Sequence, residues 1–285
     1  EGQDQFEFRY EVTLPEMDQA AKIWIPVPQS DRFQTVELIS LEAPAHHQML
    51  KDPAYGHKVL FMELSPEHSG KKVTLVYHVT RLEKAPYREN ITPGDYLDAS
   101  VLMPVGHRFQ ILADSIIGAK RATGTRMQAR ALYDYVIDNM RYAKWKNSGT
   151  GDAVYACDAL TGTCTEFHSL FISLARTAGI PSRFAVGASI PSERDEGGID
   201  GYHCWAEFYA EGKWWPIDIS EANKYTALST YYFGRHPANR VEFTRGRDLR
   251  LEPGPETGPI NFLAYPVMEI GVSPVQVDTF FSFTR

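Results

Sequence analysis

Three residues of this chain carry groups that together could perform nucleophilic chemistry: the thiol of Cys164, the imidazole of His203 and the carboxylate of Asp218. Thr163, followed three residues later by Glu166, forms a capping-box pattern, so Cys164 falls at the first position of a helix. Unpaired backbone N–H groups and the helix dipole favour negative charge there. They would stabilise a thiolate and bind the oxyanion of a tetrahedral intermediate. Residues 202–209 alternate as a strand, Glu211-Gly212 supplies a turn, and residues 213–219 return as the second arm of a hairpin. If Ala210 pairs with Lys213, Trp205 opposes Asp218, and His203 lies diagonally from Asp218 on the same face, within side-chain hydrogen-bonding reach. A three-residue loop would reverse that parity. The same alternation turns Cys204 away from His203, into packing behind it.

The elements that must position these groups follow from periodicity. Alternating runs at 6–12, 22–27, 35–41, 58–64 and 71–80 predict strands of an antiparallel β-sandwich over residues 1–92. A Pro-, Gly- and Asp-rich passage over 85–106 reads as a linker. Apolar residues at three-and-four spacing predict helices over 125–140 and 164–178, the second closed by Gly179 and Pro181. Strands are expected at 183–190, 202–209, 213–219, 240–243 and 260–269. Helices followed by an antiparallel sheet make residues 93–285 an α+β core, with the strands from Arg240 onward completing its sheet.

Composition sets the outer limits. The chain of 285 residues is long enough to bury a core without staples, and no apolar run reaches the roughly 18 residues of a spanning helix, which predicts no membrane insertion. A net charge of −7 disfavours nucleic acid as a partner. The chain begins at Glu1 without Met, which raises the expectation of a periplasmic or secreted protein, with a cytoplasmic one left open. Three cysteines do not form a disulfide framework. A Cys157–Cys204 pair stays open, since nothing in the sequence sets their distance.

Other chemistries fit less well. His168, one turn after Cys164, is an alternative base, but its apolar neighbours favour packing. A zinc site from Cys157, Cys164, Cys204 and His203 lacks short paired-ligand spacing. Glu193, Asp195, Glu196 and Asp200 are acidic enough to attract Ca²⁺, yet a mobile loop is the simpler reading. No cofactor or metal is therefore expected. Trp205 shares the His203 face and is the expected cleft wall. Thr165, Trp145 and Tyr155 are candidates for substrate or oxyanion contacts.

Three blocks resemble the transglutaminase-like superfamily, a branch of the papain-like cysteine enzymes. They are the run from Gly162 through Cys164 to Phe171, the run from Ala175 to Arg183, and Tyr202-His203-Cys204-Trp205-Ala206-Glu207-Phe208 with Trp214-Trp215-Pro216-Ile217-Asp218. The resemblance implies a bacterial-type member with Cys164 as nucleophile, His203 as general acid and base, and Asp218 as the orienting group. It implies acyl transfer from peptide or glutamine-type amides of a protein or peptide substrate through a thioester, with hydrolysis slightly favoured over crosslinking. Because such families include inactive members, a silent binding module is the alternative.

Overall fold

The computed structural model describes residues 2–145 and 148–285. In chain order, β1 (Gln3–Thr13), β2 (Ala21–Val27), β3 (Gln34–Glu42), β4 (His47–Lys51), β5 (Lys58–Leu64) and β6 (Lys72–Leu82) precede helices α1 (Arg108–Ala119) and α2 (Thr125–Asn139). Then come β7 (Arg141–Tyr142), α3 (Ala153–Ala159), β8 (Thr161–Gly162), α4 (Cys164–Thr177), β9 (Ser182–Ser189), β10 (Glu196–Ile199), β11 (His203–Ala210) and β12 (Lys213–Ile217). The chain closes with α5 (Ile219–Lys224), β13 (Arg240–Arg245), β14 (Val267–Ile270), β15 (Ser273–Val275) and β16 (Asp278–Thr284). This is an α+β fold.

Two compact units share these elements, one formed by residues 1–83, 186–203 and 237–285, the other by 84–185 and 204–236. The first is all-β. One sheet has the strand order β10-β16-β1-β6-β3 and another the order β15-β14-β2-β5-β4, both antiparallel throughout. The alternation of β1 buries Phe6, Phe8, Tyr10 and Val12, and the ring of Phe8 meets those of Phe243 and Phe281.

A simple cut near residue 92 does not describe this arrangement. β16 pairs with β1 and β14 with β2, so these two strands join the first ones; of the strands expected from Arg240 onward, β13 alone stands in the sheet of order β12-β11-β9-β13. The physical reason is edge pairing. β1 and β2 each have one N-terminal neighbour, β6 and β5, and their other edges need partners for the backbone groups. Periodicity shows that a strand exists but not which strand it joins.

Among the described residues, the second unit holds five α-helices and the hairpin of β11 and β12. α4 is its centre: every residue from Cys164 to Arg176 is buried, and α1, α2, α3 and α5 all pack on it. The sequence shows the apolar stripe of this helix but not its burial on all sides, because polar residues such as Glu166, His168 and Arg176 find partners inside. Arg176, for example, donates to the carbonyls of Ser182 and Asp98. The passage expected as a linker is bound into the unit. Lys84 and Tyr87 form bridges to His236 and Trp214, and Tyr87 and Met103 are buried. Its turn-rich composition signals irregular backbone, not exposure.

Candidate active site

Cys164 is the first residue of α4 and only 4% exposed. The turn before it is organised by Glu166, whose fully buried carboxylate collects five donors. Oε1 accepts the backbone N–H groups of Gly149 and Gly151 at 2.8 Å each. Oε2 accepts the Thr163 N–H at 2.8 Å and the hydroxyls of Thr163 and Thr165 at 2.9 and 3.2 Å. A buried carboxylate is tolerable only when satisfied in this way, and the sequence signal for it was the capping box.

The hairpin has the two-residue turn and the predicted register, with Ala210 opposite Lys213 and Ala206 opposite Ile217. Pairing stops there. Asp218 is not a strand residue but the N-cap of α5, its Oδ1 accepting the Glu221 N–H and the Ser220 hydroxyl, both at 3.0 Å. Cross-strand geometry therefore does not place the carboxylate; the cap does. Asn223, further along α5, is occupied in donating to the carbonyls of Ile137 and Met140.

His168 links the two helix starts. Its Nδ1 lies 2.7 Å from the Cys164 carbonyl, and its Nε2 accepts the Ile219 N–H at 3.0 Å, with Asp218 Oδ1 3.8 Å away. Cys204 is a correction to the alternation argument: its thiol neighbours Cys164 and lies 3.7 Å from His168 Nδ1. α4 packs on the sheet face that carries Cys204 and Phe208, as the Phe171–Phe208 ring contact shows. Burial first, and then the Cys164 neighbour, push the Cys204 thiol well above its ordinary pKa.

Trp205 and Glu207 take the other face. Trp205 is fully buried, edge-on to His236, and so offers no surface as a cleft wall. Glu207 accepts Lys84 Nζ at 2.6 Å, Arg183 Nε at 2.8 Å and the Tyr87 hydroxyl at 3.1 Å. His203 is the first residue of β11 and 8% exposed. Thr165 is buried in the first turn of α4, Tyr155 is half-buried on α3, and Trp145 is 56% exposed with its indole N–H on the Thr161 hydroxyl.

Tyr142 was not legible in the sequence. Parallel pairing of β7 with β8 sets it beside Gly162, two residues before Cys164. Its hydroxyl pKa is pushed up to about 12, chiefly by burial and then by Cys164, against the lowering effect of Lys224, whose ammonium sits 4.1 Å from the ring centroid. Only the contact between two short strands brings these groups together.

The three cysteines are free thiols, so no Cys157–Cys204 bond forms; Cys157 receives a hydrogen bond from Arg108. The acidic segment containing Glu196 is the strand β10, paired to β16. No group of three or more His, Cys, Asp or Glu that could hold a metal occurs among the described residues, and none of their helices is long and apolar enough to cross a membrane.

Residues 111–219 match the transglutaminase-like superfamily. An uncharacterized protein of Haemophilus influenzae is 27% identical over 95% of this chain and 86% of its own length. Among solved structures, a candidate cysteine protease from Cytophaga hutchinsonii covers 99% of both chains at a TM-score of 0.63 and 17% identity. The periplasmic domain of TgpA from Pseudomonas aeruginosa covers 78% of this chain and 90% of that one, at a TM-score of 0.40 and 15% identity.

Proposed function

Because residues 111–219 form a transglutaminase-like domain on a cysteine-protease-like fold, we propose that this protein is a cysteine-dependent acyl-transfer enzyme acting on peptide or glutamine-type amides. The observation that carries the reading is the Cys164 thiol at the first position of a buried, capped helix, with the start of α5, and hence Asp218, tied to it through His168. In this reading the Cys164 thiolate attacks the amide carbonyl, and N–H groups of the first turn of α4 stabilise the oxyanion. His203, as imidazolium, gives its proton to the departing amine. Water then attacks the thioester with His203 as base, releasing acid and thiol. Asp218 orients the ring and stabilises its charged form. Hydrolysis is favoured over crosslinking because water needs no binding site of its own, whereas aminolysis needs a second site for the acceptor amine.

Incubation with glutamine-containing peptides and a labelled primary amine tests both halves. Release of free acid or cleaved peptide that is lost in Cys164→Ala is expected. Amine incorporation exceeding free acid would make the enzyme a crosslinker. No turnover, with Cys164→Ala indistinguishable from the parent, would make it a silent binding module.

A further inference from the structure

We propose that His168 is a positioning residue for this site: a neutral imidazole, protonated on Nδ1, that holds the start of α5 against the start of α4. The inference rests on the functional reading above but is carried by a separate set of distances. A backbone N–H can only donate, so the Ile219 N–H at 3.0 Å requires a lone pair on Nε2. The proton must then be on Nδ1, where the Cys164 carbonyl accepts it at 2.7 Å. The bond to its own helix, four residues back, fixes the ring's rotation and aims Nε2 at α5. An imidazolium would place a second donor against the Ile219 N–H and break the link.

The ring touches both ends of the proposed machinery without touching the reacting atoms. Ile219 directly follows Asp218, whose Oδ1 lies 3.8 Å from Nε2. On the other side the Cys204 sulfur lies 3.7 Å from Nδ1, and Cys204 neighbours Cys164. His168 is fully buried, so neither nitrogen has water as a substitute partner. Displacing a catalytic constellation by about 1 Å costs on the order of 100-fold in rate.

The test compares His168→Leu, which fills the space without the bonds, with His168→Gln, whose Oε1 can accept the Ile219 N–H. His168→Leu is expected to slow turnover by on the order of 100-fold in kcat with KM little changed, while His168→Gln restores most of it. Equal losses in both variants, or a His168→Leu enzyme as fast as the parent, would overturn the proposal. Nitrogen-15 NMR of the parent protein provides a readout independent of activity. The Nδ1–H tautomer at neutral pH is expected; an imidazolium or an Nε2–H tautomer would overturn the strut. Absence of turnover in the parent, with the Nδ1–H tautomer present, would count against the functional reading alone.

Discussion

Gly162 and Glu166 exclude each other's side chains: a Cβ on Gly162 would overlap the Cβ, Cγ and Oε2 atoms of Glu166. The glycine is therefore what lets the five-donor carboxylate sit beneath the turn that delivers Cys164. Gly162→Ala should cost about 1–3 kcal/mol from overpacking, measured by urea unfolding. Glu166→Gln turns an amide nitrogen toward backbone donors that cannot rotate away, and about 1.5–3 kcal/mol should be lost. Unchanged stability in either variant would mean that the turn has another anchor.

Asp218 has two separable jobs, as helix cap and as orienting group. Asn is as good a cap as Asp, so Asp218→Asn should keep the melting temperature while reducing kcat by up to about 10⁴-fold. Asp218→Ala should lose the same activity and, in addition, about 0.5–2 kcal/mol of stability. An Asp218→Asn enzyme at full rate would assign the orienting role elsewhere.

Glu207 pairs with Lys84 and Arg183 where both are buried. Glu207→Gln should destabilise the fold by about 3–5 kcal/mol, since buried Lys84 would lose its carboxylate away from water and Arg183 would keep only Glu89. Chemical denaturation at neutral pH measures this, and a loss below about 1 kcal/mol would contradict the network's role.

Cys204 should make stability fall in alkali. Its folded pKa is raised by burial, so the unfolded chain, with a thiol pKa of about 8.5, releases its proton first and binds fewer protons than the native state. The contribution is fully present below that pH and is lost as pH rises above it. Denaturation curves of the parent and of Cys204→Ala at pH 7 and pH 10 should differ in this slope; parallel slopes would refute it.

The contrast between the two neighbouring thiols predicts selective alkylation. At pH 6 a small alkylating reagent should label Cys164 alone, while Cys204, buried and held protonated, reacts only on unfolding. Peptide mapping identifies the site. Labelling at Cys157 or Cys204 before Cys164 would remove the nucleophile assignment.

Local chemistry was readable in this chain wherever a short-range pattern produced it. Thr163 and Glu166 specified where α4 starts, and Glu211-Gly212 marked the hairpin turn, whose two-residue form sets Ala210 opposite Lys213. Periodicity likewise identified β1, β2, β5 and α2, because burial of one face leaves its mark on consecutive residues. Tertiary packing decided what spacing cannot encode. Which sheet β14 and β16 join depends on open edges far away in sequence, and Asp218 leaves its strand to cap α5. The facing of Cys204 onto Cys164 depends on which side of the sheet α4 covers, a choice that alternation leaves open. His168 reads as one more residue among apolar neighbours until the Ile219 N–H, 51 residues away in sequence, arrives at its ring.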